Sequence, residues 1–205
     1  PQATINALNQ YIVPAENQYW LAAGIRFTSF EMLNAYALLT ASFGTQVELA
    51  LMGEAMLTLP VSMPGETATI LAQADMVLMA SITPSLGQIA INAQLTSRSF
   101  VLDRNAQITG GFAFYFWYGK SAHKGDFVVT LGGYNPHFNK PDYYPSVPQL
   151  GLNWKISDLI SIKGGLYCAL TPSVIMAGGN LSATYQSGDV KAWFTANADF
   201  LMRFK

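Results

Sequence analysis

Few residues in this chain have side chains suited to chemistry, and four of them share one stretch. His137, Asp142, Tyr143 and Tyr144 lie close together, and imidazole, carboxylate and phenol pass protons when a pocket makes them converge. The same stretch has a plainer reading. Pro136, Pro141, Pro145 and Pro148 stand within residues 135–148, and so many fixed φ angles make a stiff connection that cannot pair as a central strand. Tyrosines on such a segment act as a lid over the end of a β structure.

Other catalytic signatures fail on spacing. Gly119-Lys120-Ser121 ends like a nucleotide-phosphate loop, but Phe114 stands where that motif needs its first glycine. No helical pattern follows any Gly-Gly pair, so a dinucleotide turn is not expected. With only His123, His137 and Cys168, no Cys/His cluster can be composed, and neither a metal nor a cofactor is expected. Cys168 has no partner for an internal disulfide; it shares a strand face with Leu166 and Leu170 and reads as a small buried hydrophobe. Asn180-Leu181-Ser182 matches a glycosylation acceptor but falls inside a strand pattern. The chain is read as non-enzymatic.

Composition turns attention to surfaces. Of the 205 residues 51% are hydrophobic, 13% aromatic and only 11% charged, against about 25% charged in an average soluble domain. Disorder is excluded, and an ordinary hydrated exterior is not expected. Net charge is −1, and 71 residues between Arg26 and Arg98 contain no Lys or Arg. No nucleic-acid partner is expected.

The elements that must position these residues are strands. Ile70, Ala72, Ala74, Met76, Leu78, Ala80 and Ile82 alternate with a more polar set that includes Gln73, Asp75 and Ser81. Near the end Val190, Ala192, Phe194, Ala196, Ala198, Phe200, Met202 and Phe204 alternate with Lys191, Trp193, Thr195, Asn197, Asp199, Leu201, Arg203 and Lys205. At about 3.3 Å per residue that last run would extend roughly 50 Å. Turn signals separate the runs at residues 44–45, 64–65, 84–87, 103–105, 124–126, 171–173 and 187–189. A short helix is allowed only at residues 3–11. Most connections are too short for parallel crossovers, so the fold class is all-β: an antiparallel meander of long, strongly curved strands forming an open trough, sandwich or barrel-like sheet.

Gly110-Gly111, Gly132-Gly133, Gly164-Gly165 and Gly178-Gly179 sit in or beside strand patterns instead of turns. They read as devices for bending strands and for close backbone approach. In the segment from Phe112 to Tyr118, Phe112, Phe114 and Phe116 on one side read as core, and Tyr115 and Trp117 on the other as a candidate binding face.

The stretch from Ile108 to Phe204 contains Thr-Gly-Gly-Phe-Ala-Phe-Tyr-Phe-Trp-Tyr, Gly-Asp-Phe-Val-Val-Thr-Leu-Gly-Gly-Tyr, Gly-Leu-Asn-Trp, Leu-Thr-Pro-Ser-Val-Ile-Met-Ala-Gly-Gly and Ala-Asp-Phe-Leu. Together with Trp20-Leu-Ala-Ala-Gly-Ile-Arg-Phe-Thr-Ser-Phe, it resembles a β-rich module of very large microbial proteins in an uncharacterised domain-of-unknown-function family. The resemblance implies a piece of a longer chain and brings no activity or site residue with it. Residues 1–205 are accordingly expected to form one β-rich domain, a fragment of something longer.

Two functional readings follow. The first is a non-enzymatic structural or interaction module whose long strands associate with further β-rich segments of the same or identical chains, because an open, sparsely charged edge is an aggregation hazard. The second is a carrier that holds a lipid or another apolar ligand in a curved β-sheet groove. Candidate ligand-binding residues are Met76, Leu78, Tyr115, Trp117, His137, Tyr143, Tyr144, Trp193, Phe194 and Phe200.

Overall fold

A computed structural model describes residues 16–29, 32–60 and 69–204. They form one antiparallel sheet of thirteen strands with no helix among the described residues. In chain order these are β1 (Gln18–Ser29), β2 (Leu33–Gly44), β3 (Glu48–Leu59), β4 (Ala72–Thr83), β5 (Gln88–Leu95), β6 (Phe100–Val101) and β7 (Asp103–Thr109). They continue as β8 (Gly111–Trp117), β9 (Phe127–Leu131), β10 (Leu150–Lys155), β11 (Ile160–Leu170), β12 (Val174–Ser187) and β13 (Val190–Arg203). The expected helix at residues 3–11 and the turn at 64–65 lie outside the described residues.

The pairing order β4-β5-β8-β9-β11-β10-β7-β6 returns to β4 through a short β4–β6 contact, giving a partly closed ring. Register shows the ring to be a split within one sheet. β5 and β6 lie end to end along the same edge of β4. β9 and β10 lie end to end along the same edge of β11. β7 and β8 form a single line broken at Gly110, which has φ +134°. Ten lines of chain therefore make an up-and-down meander, and three central lines are interrupted at one level.

The largest interruption is an insertion. Leu131 pairs with Cys168 and Leu150 with Leu166, so two steps along β11 correspond to nineteen along its partner line. Seventeen residues have been added inside a strand without moving the register on either side. They hold the proline-rich segment, whose lack of N–H donors and fixed φ keep it out of the ladder. At its base the backbones crowd together. A Cβ on Gly132, with φ +75°, would lie 2.3 Å from the Leu166 carbonyl oxygen, and one on Gly110 would lie 2.6 Å from Leu150 Cα. Gly165 pairs with Gly151 and Gly179 with Leu166, so glycines of four neighbouring lines fall in one band at the split.

The insertion folds over one side of β8, β9, β11 and β12, called here the loop face. Trp117, Val128, Thr130, Ala169, Val174 and Met176 on that side are all buried, and removing each large apolar side chain from water contributes about 1.5–3 kcal/mol. Among the described residues the opposite, open face has no such cover. One row across ten lines reads Ile25, Ala37, Gly53, Leu78, Ala93, Phe112, Leu131, Cys168, Ala177 and Phe200. The next reads Ala23, Leu39, Leu51, Ala80, Ile91, Phe114, Val129, Leu170, Ile175 and Met202. In those ten lines, the β6–β7 half excepted, every charged strand residue sits on the loop face: Arg26, Glu48, Glu54, Asp75, Lys155, Lys163, Lys191, Asp199 and Arg203.

Several expectations change accordingly. Cys168 is exposed, not buried, because its face is the open one, while its neighbours Tyr167 and Ala169 are buried under the loop. Phe112, Phe114 and Phe116 lie half-buried on the open face; the packed core is on the Tyr115 and Trp117 side. Residues 103–105 begin β7, and the chain turns one step earlier at Leu102, with φ 66°. The terminal strand has 14 residues, and the strand containing Met76 runs Ala72–Thr83.

Gly132→Ala is expected to lower stability by about 1–3 kcal/mol, from left-handed strain plus the clash with β11. Gly119→Ala, also at positive φ but with open space around it, should cost less than Gly132→Ala. Urea midpoints of the two variants check the order.

Candidate functional site

Three surfaces on the sheet could engage another molecule. The first is the aromatic cluster beneath the inserted loop. Trp117 is 3% exposed because Tyr144 stacks on it at 5.7 Å and Tyr143 meets it edge-on at 5.1 Å. His123, from the β8–β9 turn, stacks on Tyr143 at 3.6 Å. Asp126 ties the loop to the sheet: it accepts the Tyr143 hydroxyl at Oδ2 (2.6 Å), the Tyr144 hydroxyl at Oδ1 (2.9 Å) and the Phe127 amide (2.8 Å). Tyr134 donates to the Pro145 carbonyl at 3.0 Å, and Lys140 donates to the Tyr144 carbonyl at 3.0 Å.

This electrostatic setting suits bracing. The hydrogen bond to Asp126, then burial, pushes the Tyr143 phenol up to about 12. Burial, and then the bond to Asp126, pushes Tyr144 well above the usual phenol range, and burial does the same for Tyr134. Such phenols stay protonated at neutral pH and serve as donors. No hydrogen bond joins the side chains of His137 or Asp142 to either tyrosine among the described residues, and both residues are exposed while Tyr144 is buried. His137 is exposed, its amide held by Asn135 Oδ1 at 2.8 Å.

A second bond network anchors the other end of the loop. The Asn135 amide group donates to the Tyr167 hydroxyl at 2.7 Å, and Tyr167 donates to Asp199 Oδ1 at 2.6 Å. Tyr167 reaches across β12 only because residue 178 is glycine; a Cβ there would stand 2.4 Å from both oxygens. Burial, then Asp199, pushes the Tyr167 phenol up to about 12.

The second surface is a groove of about 560 Å³ on the loop face, beside the loop's exit. Met52, Val77 and Met79 form its apolar floor; Tyr36, Glu54, Asn92 and Gln94 rim it, and residues 146–148 wall one side. Next to it Asp75, 1% exposed, meets Arg98 in an ion pair, and its backbone is locked by Ser99, which accepts from the Asp75 amide at 3.0 Å and donates to its carbonyl at 2.9 Å.

The third surface is the open face itself. At the split, Leu95, Ile108, Leu150, Leu152, Leu166 and Leu181 surround Gly151 and Gly164 in a hollow of about 380 Å³. It exists because glycines leave the sheet bare there.

The sequence-based candidates divide among these surfaces. Tyr115, Trp117, Tyr143 and Tyr144 come together under the loop, packed against one another. Met76, Leu78, Phe194 and Phe200 share the open face but lie on lines far apart, β4 and the edge strand β13, while Trp193 lies on the loop face of β13, 71% exposed. Asp126 and His123 were not among the candidates. Nothing local marks them, since their roles arise only when a loop inserted after β9 doubles back. No group of three His, Cys, Asp or Glu among the described residues is placed to hold a metal ion, and no helix among them is long and apolar enough to cross a membrane.

Asp126→Ala should strip Tyr144 of its good acceptor, leaving only the Phe127 carbonyl at 3.5 Å, and cost about 2–3 kcal/mol in denaturant unfolding. Alkaline titration gives an independent check. The folded-state values of Tyr143 and Tyr167 lie above the unfolded one, near 10. Their stabilisation is therefore complete below about pH 10 and lost as pH rises through 12. Tyrosinate absorbance should accordingly show a late step that Asp126→Ala moves downward.

No curated protein and no solved structure matches this chain. One family model matches residues 1–205, described as a family of unknown function, DUF6603. The charge-segregated sheet and its inserted loop thus belong to a member of that uncharacterised family.

Proposed function

We propose that this domain is a non-enzymatic structural module, whose open face and bare edges are covered by further β structure. The confinement of strand charge to the loop face carries the reading. Ten lines spaced about 4.8 Å apart, each about 35–45 Å long, give, with the β6–β7 half left out, an uncharged area on the order of 1,600 Å², roughly twice what one partner contributes to a standard stable interface. Leu39, Leu131, Leu166, Leu170, Phe200 and Met202 on this face are each 37–51% exposed. Mixed large and small apolar residues on a twisted pleated surface suit stacking against another sheet about 10 Å away. A second β-rich segment, within a longer chain or from an identical one, is the partner this surface fits. Enzymatic work is not assigned, since the strongest polar cluster is fully engaged in holding the loop.

Cys168 gives a direct test, being a free thiol exposed on that face, two lines in from the β13 edge. A maleimide should label it readily in dilute isolated chain and poorly once the open face is stacked against β structure. Ala177→Lys, beside Cys168 on the open face, should abolish that stacking and the protection. Val77→Lys on the loop face should change neither. Full labelling of Cys168 at every chain concentration, in assemblies of every size, would overturn the proposal.

The glycine-floored hollow favours a second reading, an apolar carrier, because six of its eleven lining residues are leucine or isoleucine and three are glycine. Native mass spectrometry of detergent-free protein distinguishes the two: an acyl-sized adduct lost in Leu152→Lys supports the carrier, and a bare chain removes it.

A further inference from the structure

The outer edge of β13 is the least protected part of the sheet. Its ladder with β12 runs from Val174↔Arg203 to Ser187↔Val190 with no register shift. It contains no proline or glycine, and every residue except Leu201 is exposed. Sheets normally blunt such edges with bulges, prolines or inward charges, and no strand among the described residues pairs with this one.

We propose that this edge pairs antiparallel with the same edge of a second copy of the chain, about a two-fold axis at Thr195. Each Lys191 then faces the Asp199 of the other copy. The inference rests on the module reading above and names the partner.

Charge selects the register. An axis at Asn197 would oppose Lys191 to Arg203, and one at Asp199 would oppose that carboxylate to itself; like charges directly opposite are unfavourable. An axis at Ala196 leaves Lys191 facing Leu201 and Asp199 facing Trp193. The axis at Thr195 pairs Lys191 and Asp199 with their opposites over nearly the whole strand and sets Arg203 against Ser187, whereas an axis at Leu201, which would oppose Asp199 to Arg203, overlaps only the last few residues. Tyr167 already holds Asp199 by Oδ1, which leaves Oδ2 for the incoming ammonium.

Side-chain size agrees. On the open face the same register sets Phe194 against Ala196, Ala192 against Ala198 and Val190 against Phe200, so neither phenylalanine meets another. A two-fold axis normal to the sheet also keeps both open faces on one side. Pairing therefore doubles the uncharged surface without covering it.

The experiment is sedimentation velocity on the full 205-residue chain across a dilution series, with thermal melts to confirm folding. The unaltered chain should dimerise. Lys191→Glu, whose side chain makes no ion pair within the described residues, should weaken the dimer about tenfold or more, and so should Asp199→Lys. Mixing the two variants should restore dimers, because Glu then faces Lys across one half and Lys faces Asp across the other. A Lys191→Glu dimer as tight as the original, or a mixture no tighter than its parts, would overturn the self-pairing. If Thr195→Pro abolishes an association that Lys191→Glu leaves intact, the edge pairs with other β structure, and the module reading survives without this partner. A chain that stays monomeric throughout sinks the inference, while Cys168 protection independently decides the broader reading.

Discussion

The separation of charge from apolar surface across a single sheet governs everything else in this molecule. An antiparallel sheet ordinarily buries its apolar face and wets the other. Here the cover that the described residues supply lies on the face that carries the charges, and they leave the apolar face bare. The inserted loop manages this because it brings its own rings. Tyr143, Tyr144, Tyr134 and Phe138 pack onto Trp117 and Val128, and their hydroxyls find Asp126 and a backbone carbonyl. Aromatic contacts of this kind add about 0.5–1.5 kcal/mol each beyond area burial, so a short segment can make a core over part of a wide sheet.

Period-2 alternation made the strands legible, and residue type made legible which side was apolar. Leu166, Cys168 and Leu170 do share a face, as do Met76 and Leu78. Alternation cannot say which face is covered, because that depends on where residues 135–148 fold. The reading of Cys168 as buried, and of Phe112, Phe114 and Phe116 as core, failed for this one reason. The Gly-Gly pairs were correctly taken as geometric, but their alignment across four lines was hidden by unequal hairpins and the insertion between Gly133 and Gly164.

The functional cluster was legible only in part. Tyr143, Tyr144, Tyr115 and Trp117 stand out by their size and density in an aromatic-rich sequence. Asp126 does not, since an aspartate in a Lys-Gly-Asp turn looks like any solvated turn residue. Its two oxygens become the fastening of the loop only through contacts 17 and 18 residues distant. Likewise Gly178 looks like a bend in a strand, and its use is to let Tyr167 lean across to Asp199.

The insertion within the β9–β10 line leaves the ladders on both sides in step, and this separates the frame from its ornament. A segment spliced between Gly132 and Leu150 can be lengthened, shortened or rewritten without shifting a single cross-strand pair, provided the narrow glycine doorway at its root is kept. The sheet thereby works as a chassis with one interchangeable attachment: what stands above the loop face can be rewritten while the residue pattern of the open face beneath stays as it is.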